Sequence, residues 1–477
     1  MDKTLSPANQ LMMPHAEAAQ AAERPAVSAR EPGMIAFALT WLFVFVAFAR
    51  PEDIYKPIGA LHLTLTLGIC ASVAFLWGLM THRVRFEKSR ELLCVVLLTC
   101  WFCLGVPFAF WHHGSYDLLS QIWVRTFLFF LLLTQTLTTV SRIRKILWAV
   151  ILSELVASVA SLLMQGNPAL QVGGRFVGVN QGLLGWNFLG ITLSVTLPFI
   201  AYIYMTGRSR VNTGILIVAM ASSMWMFVLT ASRGGFMTIL MSVVLTWWFV
   251  LKGSSRGRWV TVLIFLCFAV SIVKAPGAFW ERVQTIWSDS SYSSNETAAS
   301  AEESTKGRVM LLQMSLLVTL QNPVLGVGVG NFSVYTGYNR MGPLAWYGTH
   351  NSFTQLSAEA GIPALLLFLW MLYSMYRHSR DLSRQFAGDK ENADLWLLSR
   401  AATVSVIALT FNGFFAHIAY DYLFYYVAGI TAAMYAVGRH LKPPEEPAPD
   451  VSPFHKQQAP RPAQLPPNSN QVRPPWR

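Results

Sequence analysis

Residues 118–164 read LLSQIWVRTFLFFLLLTQTLTTVSRIRKILWAVILSELVASVASLLM: two apolar runs, 118–140 and 145–164, around a basic knot of Arg142, Arg144 and Lys145. Each run approaches the roughly 20 residues that an α-helix needs to cross a bilayer, and the charges between them mark a loop held on one side. The pattern recurs along the chain, at 34–49, 58–80, 91–111, 182–206, 214–231, 234–251, 259–273, 353–376, 399–416 and 418–437, for twelve runs in 477 residues. With 53% hydrophobic residues against 13% charged ones, the sequence specifies an all-α polytopic membrane protein of about 12 transmembrane helices.

Loop charge sets the orientation. With the first 33 residues on the cytoplasmic side, the inside loops hold Arg83, Arg85, Lys88 and Arg90, then Arg142, Arg144 and Lys145, then Arg208 and Arg210. Lys252, Arg256 and Arg258 follow, and Arg377, Arg380, Arg384 and Lys390 complete sixteen basic residues. The outside loops carry nine, Arg50, Lys56, Arg175 and Arg233 plus five spread over 274–352, so the positive-inside rule puts both termini in the cytoplasm. The net charge of +12 is then topological, and nucleic-acid binding is not needed to explain it.

The expected organisation is a polar segment at 1–33, nine spans over 34–273, a long outer loop with short helices at 274–352, three spans over 353–442 and a tail at 443–477. No secretory signal is visible, and Met34 is an alternative start. The tail holds eleven of the 24 prolines and reads as a disordered extension. All five cysteines (Cys70, Cys94, Cys100, Cys103, Cys267) fall within apolar runs, and the pair Cys100 and Cys103 has no basic neighbour to activate a thiol. They read as packing residues, with no disulfide framework and no zinc site.

Unusual residues gather on the outer face. Arg125 lies seven residues into the fourth span, about 10 Å deep. An arginine within a span costs about 2.5–3.5 kcal/mol, so it either snorkels to the interface or faces a cavity. Arg175 and Arg233 are flanked by glycines in Gly173-Gly-Arg-Phe-Val-Gly178 and Thr230-Ala-Ser-Arg-Gly-Gly235. Glycine permits close approach of a ligand or another backbone, and guanidinium groups bind phosphate oxygens bidentately, so these arginines suit a diphosphate. In the outer loop, 288–306 is Ser-rich and reads as mobile, whereas 307–321 reads as an amphipathic helix lying on the interface. Gly326, Gly328 and Gly330 read as a flexible turn. Tyr335, Tyr338, Trp346 and Tyr347 are interfacial belt residues or platforms for sugar rings.

His350 is the candidate general base. Ser352-Phe-Thr-Gln355 reads as a capping box opening the tenth span, which puts His350 just before a helix N-terminus. That positive end keeps the imidazole neutral and attracts phosphate. Glu359, seven residues beyond Ser352 on the same face, requires a partner at that depth and is a candidate supporting group for His350, as is the adjacent Asn351. Pro363 would free the Glu359 carbonyl and kink the helix.

Thr230-Ala-Ser-Arg-Gly-Gly235, Pro323-Val-Leu-Gly-Val-Gly-Val-Gly-Asn-Phe332 and His350-Asn-Ser-Phe-Thr-Gln-Leu-Ser-Ala-Glu-Ala-Gly361 resemble motifs of the bacterial O-antigen ligase and polymerase superfamily. The similarity is densest over about 170–375, and the twelve-span layout with its long loop after span nine also fits. The resemblance implies a GT-C-type membrane fold in the bacterial inner membrane. It also implies transfer of a glycan from a polyprenyl diphosphate carrier to a glycan, lipid A-core or protein acceptor on the periplasmic face, with no metal or cofactor. His350 resembles the family's essential histidine, Arg233 the arginine of its short Ser-Arg-Gly motif, and Arg175 the arginine preceding its Asn-rich segment. Where members often carry Asn-Pro-Asn, this chain has Val179-Asn-Gln-Gly-Leu, which leaves Arg175 less anchored than Arg233. The implied chemistry is an inverting displacement in which Arg175, Arg233 and Arg125 hold the leaving diphosphate and Tyr338, Trp346 and Tyr347 contact sugar. Ligase and polymerase differ only in acceptor. A transporter is the rival class, but it would place ionisable groups near the midplane and show related halves.

Overall fold

Hydrocarbon offers a backbone no water to bond, so an apolar run must satisfy its own N–H and C=O groups, as an α-helix does within one segment. The computed structural model describes residues 33–167, 170–172, 175–176, 178–179, 188–207, 209–275, 277, 279–280, 296–344 and 346–441. Of the expected terminal segments, all of 443–477 and all of 1–33 but Gly33 lie outside them. The helices up to Arg439 make one unit, and His440 begins a second.

Each of the twelve apolar runs holds a helix among its described residues. The helices are α1 (Met34–Ala49), α2 (Leu63–Met80), α3 (Arg90–Gly105), α4 (Val124–Thr136), α5 (Val140–Leu163), α6 (Phe188–Thr206), α7 (Arg210–Thr230), α8 (Arg233–Thr246), α9 (Ser255–Val273), α10 (Glu296–Gln321), α11 (Ser352–Gln385), α12 (Ala393–Asn412) and α13 (Tyr422–Leu441). Ten of the described helices are long and apolar enough to cross a membrane. The other two expected spans coincide with α9 and α13. α13 is less apolar because it carries Tyr422, Tyr425, Tyr426 and Tyr435, which it can do because protein surrounds it: every residue from Leu423 to Met434 is buried. α6 is likewise buried from Leu189 to Ile203, so these two helices form the centre of the bundle. α2, by contrast, exposes Leu65, Ile69, Val73, Leu76 and Trp77, the surface expected of a lipid-facing helix.

Close packing uses small residues. A Cβ on Gly190 of α6 would lie 2.6 Å from the Gly235 Cα of α8, so these two helices touch backbone to backbone. Gly235 therefore serves helix packing rather than ligand approach. Arg142, expected in an inside loop, folds into the protein near the start of α5. It is 2% exposed, donates to the Thr136 carbonyl and Thr138 Oγ1, and lies 5.2 Å from the Phe37 ring centroid. Residues 171–172 and 175–176 form a minimal antiparallel pair, with Gln171 opposite Phe176 and Val172 opposite Arg175.

The outer loop departs from expectation. Helix α10 begins at Glu296, within the stretch expected to be mobile, because Ala298, Ala299, Ala301, Glu302, Glu303 and Lys306 are strong helix formers. Its buried Leu311, Met314 and Val318 pack with Phe332 and Ala358. Thr319 and Ser357 hydroxyls meet at 2.8 Å, fastening α10 to α11.

α11 is broken at Gly361 (φ 81°, ψ 173°), two residues before Pro363. The break frees carbonyls as expected, and the glycine-rich segment takes them. Val327 N donates to Ala358 O and Gly328 N to Glu359 O, each at 2.9 Å, while Ile362 N donates to Pro323 O at 2.8 Å. A Cβ on Gly361 would sit 1.9 Å from Val324 O, and one on Gly326 2.3 Å from the Glu359 carbonyl carbon. The glycine run is thus a backbone dock against the helix break rather than a free turn.

Candidate active site

The start of α11 is built differently from a capping box. Asn351 is the N-cap, its side-chain oxygen accepting from Phe353 N (2.9 Å) and Thr354 N (3.1 Å). Ser352 and Gln355 are thereby released to hold the loop between α12 and α13. Ser352 Oγ donates to Ala416 O at 2.7 Å and accepts from Ile418 N at 3.0 Å, and Gln355 Oε1 accepts from Ala419 N at 3.2 Å. The expected box is not formed because an asparagine one position earlier takes the N-cap, while the Ser352 and Gln355 amides donate to the Gly413 and Asn351 carbonyls.

This lacing sets His417 against His350, with ring centroids 5.0 Å apart and planes at 79°. His350 itself adopts a left-handed backbone (φ 51°), a conformation that histidine tolerates better than most residues, held between Thr349 and the cap. The ring lines a cavity of about 400 Å³ together with Arg233, Gly234, Arg308, Asn351 and Phe415. Arg233 is the first residue of α8, positioned by the tight reversal at Ala231 (φ 49°) and by Ser232, whose hydroxyl accepts from Gly235 N. Arg308 reaches in from α10 over Gly234: its Nη1 lies 3.9 Å from where a Cβ on that glycine would be.

Burial, then the neighbouring His417 and Arg308, push the His350 imidazole down to about 4. At neutral pH His350 is therefore uncharged and able to accept a proton. Burial also lowers Arg308 and His417 from their ordinary values. Arg308 has no hydrogen-bond or ion-pair partner among the described residues, so its charge is directed at the cavity.

Glu359 makes no hydrogen bond to His350. Its carboxylate accepts from Gly330 N (2.9 Å), Phe332 N (3.3 Å) and Tyr420 OH (2.9 Å). It clamps the glycine dock and the α12–α13 loop, so it shapes the site through the loops around it. Arg125 lies elsewhere, in a second cavity between α1, α4, α6 and the start of α13, because its side of α4 faces those helices rather than α8. The Arg175 side chain lies outside the described residues. Tyr338, Trp346 and Tyr347 are exposed and line neither cavity. Tyr338 packs edge-on to Phe110, and the Trp346 ring packs against Gly337. Two contributors escaped sequence reading, Arg308 and His417. Arg308 sat within an apparently amphipathic helix, where a cation reads as a solvated face; His417 sat in a short aromatic loop with no motif to single it out. No group of three or more His, Cys, Asp or Glu side chains suited to a metal occurs among the described residues.

Fold and site together define a multi-pass, all-α membrane protein with a cationic, histidine-bearing cavity at the starts of two of its spans. Residues 215–369 match the O-antigen ligase family model, which bears out the resemblance to the O-antigen ligase and polymerase superfamily. The match takes in Arg233, Arg308, the glycine dock, His350 and Glu359. No curated protein matches the chain.

Proposed function

We propose that this protein is an O-antigen ligase-like glycosyltransferase of the GT-C type. It moves a glycan from a polyprenyl diphosphate carrier to an acceptor hydroxyl at the periplasmic face of the bacterial inner membrane. The observation that carries the proposal is the convergence of His350, Arg233 and Arg308 on one cavity. If all twelve helices cross, the starts of even-numbered spans share one side. Arg233 and His350 sit at the starts of the eighth and tenth, opposite the basic loops.

The acceptor oxygen attacks the anomeric carbon while its proton passes to the neutral His350 ring. The carbon–oxygen bond to the diphosphate breaks, the configuration inverts, and the electron pair leaves on the diphosphate. Arg233 and Arg308 neutralise that anion. Bound diphosphate also places negative charge near His350, which strengthens its basicity when a proton must be taken. Arg175 remains a candidate third cation.

The test uses the full-length protein in nanodiscs with a polyprenyl-diphosphate-linked glycan and a phosphorylated glycolipid acceptor, following glycosylated acceptor and released carrier. Transfer by the native protein, lost in His350→Ala at unchanged folding, supports the reading; unchanged transfer in that variant overturns it. In the producing cell, uncapped acceptor with long free chains identifies a ligase, and single repeats on the acceptor identify a polymerase.

A further inference from the structure

The cavity around Arg125 has no part in the displacement at His350, yet it is built for a ligand. It encloses about 270 Å³, just below the ~300–1,000 Å³ of pockets for drug-sized molecules, which suits a single sugar unit. Its walls carry Arg50, Glu52, Gln121, Arg125 and Asp421, with Phe48 and Phe188 on the apolar side. Arg50 is occupied, with Nε 3.1 Å from Asp53 Oδ2 and 3.8 Å from Glu52 Oε1. The second Glu52 oxygen is buried and accepts nothing. Neither the Arg125 guanidinium nor the Asp421 carboxylate has a hydrogen-bond or ion-pair partner among the described residues.

Half-buried polar groups without a protein partner are best satisfied by a ligand, so Arg125 and Asp421 indicate what suits the space. The Asp421 carboxylate calls for hydroxyl donors, and the Arg125 guanidinium calls for an oxyanion. A sugar bearing a phosphate or carboxylate offers both, and its apolar ring face suits Phe48 and Phe188. The α12–α13 loop separates the two cavities: Phe414 and Phe415 line the one at His350, and Asp421 lines this one. We propose that the Arg125 cavity binds an anionic sugar and is the docking site of the acceptor. The binding stands on the cavity alone; its assignment to the acceptor rests on the glycan-transfer reading.

The probes are glucose 6-phosphate, glucose and inorganic phosphate, applied to the full-length protein in nanodiscs and read as a shift in thermal midpoint. Glucose 6-phosphate should stabilise the native protein more than either fragment. Arg125→Gln should lose that shift, Arg125→Lys should retain part of it, and Asp421→Asn should weaken the response to the sugar phosphate but not to phosphate. His350→Ala should leave all responses unchanged. No shift in the native protein, equal shifts in native protein and Arg125→Gln, or loss of the shift in His350→Ala would each overturn the site. In the transfer assay, Arg125→Gln should raise the acceptor KM about tenfold and leave the donor KM alone, as loss of one charge-assisted anion contact requires. An unchanged acceptor KM removes the acceptor assignment. Absence of transfer by the native protein rejects the glycan-transfer reading while the binding result stands.

Discussion

The cavity at His350 sets Arg233 and Arg308 beside a histidine, with no carboxylate among its described lining residues, whereas the cavity at Arg125 balances two arginines against Glu52 and Asp421. Both sit at ends of helices in the same bundle, yet their electrostatics suit different ligands. Arginines beside a partly desolvated histidine favour a multiply charged anion and oppose protonation of the histidine. A balanced set of donors and acceptors favours a ligand that is mostly hydroxyl with one charge.

The sharpest contrast should come from the base. His350→Ala should lower the transfer rate by about 10²–10⁴-fold, the usual contribution of a positioned base. Arg125→Gln at saturating acceptor should stay within about twofold of the native rate, because an interaction made equally in ground and transition states affects KM and not kcat. Comparable losses of kcat in both variants would break the distinction between the two cavities. Next in size, Arg308→Ala and Arg233→Ala should each reduce transfer by about 10–100-fold through weaker stabilisation of the leaving diphosphate. A rate unaffected by Arg308→Ala would show that the α10 arginine is only a neighbour.

Glu359 tests what the two sites share. Glu359→Ala leaves Gly330 N, Phe332 N and Tyr420 OH without their acceptor. An unsatisfied buried donor costs about 1–3 kcal/mol, so the thermal midpoint should fall clearly, with Glu359→Gln milder. Because Tyr420 belongs to the loop between the cavities, transfer and sugar-phosphate binding should decline together. Loss of transfer with an unchanged midpoint would instead assign Glu359 a chemical role.

The smallest effect concerns pH. A histidine pushed down to about 4 stays neutral above that value and becomes protonated, hence useless as a base, below it. Transfer should be flat from pH 6 to 8 and fall on the acid side. Removing the positive neighbour in His417→Ala makes the imidazolium easier to form, so the acid limb should move to higher pH by a fraction of a unit. A limb that moves to lower pH contradicts the placement of His417.

The helices were legible because a bilayer enforces them: twelve apolar runs had no other way to satisfy their backbones, and each holds a helix among its described residues. His350 and Arg233 were legible because their motifs are local and each stands at a helix start. The glycines of 326–330 were visible as a motif but were misjudged as a flexible turn. Their function is to let one backbone enter the break in another, and that partner lies some thirty residues along the chain. The capping box failed for a local reason, Asn351 being one position better placed, and its displaced side chains then found partners in 413–420.

By itself, then, the sequence determined the membrane class and the helices, and it singled out His350 and Arg233, which line one cavity, all from local hydropathy and short motifs. Tertiary structure alone decided that Arg308 and His417 join His350, that Glu359 clamps loops, and that Arg125 faces a cavity of its own. Each of these depends on which face of a helix meets which neighbour. Helix packing sets that, and a one-dimensional pattern of charges and glycines does not encode it.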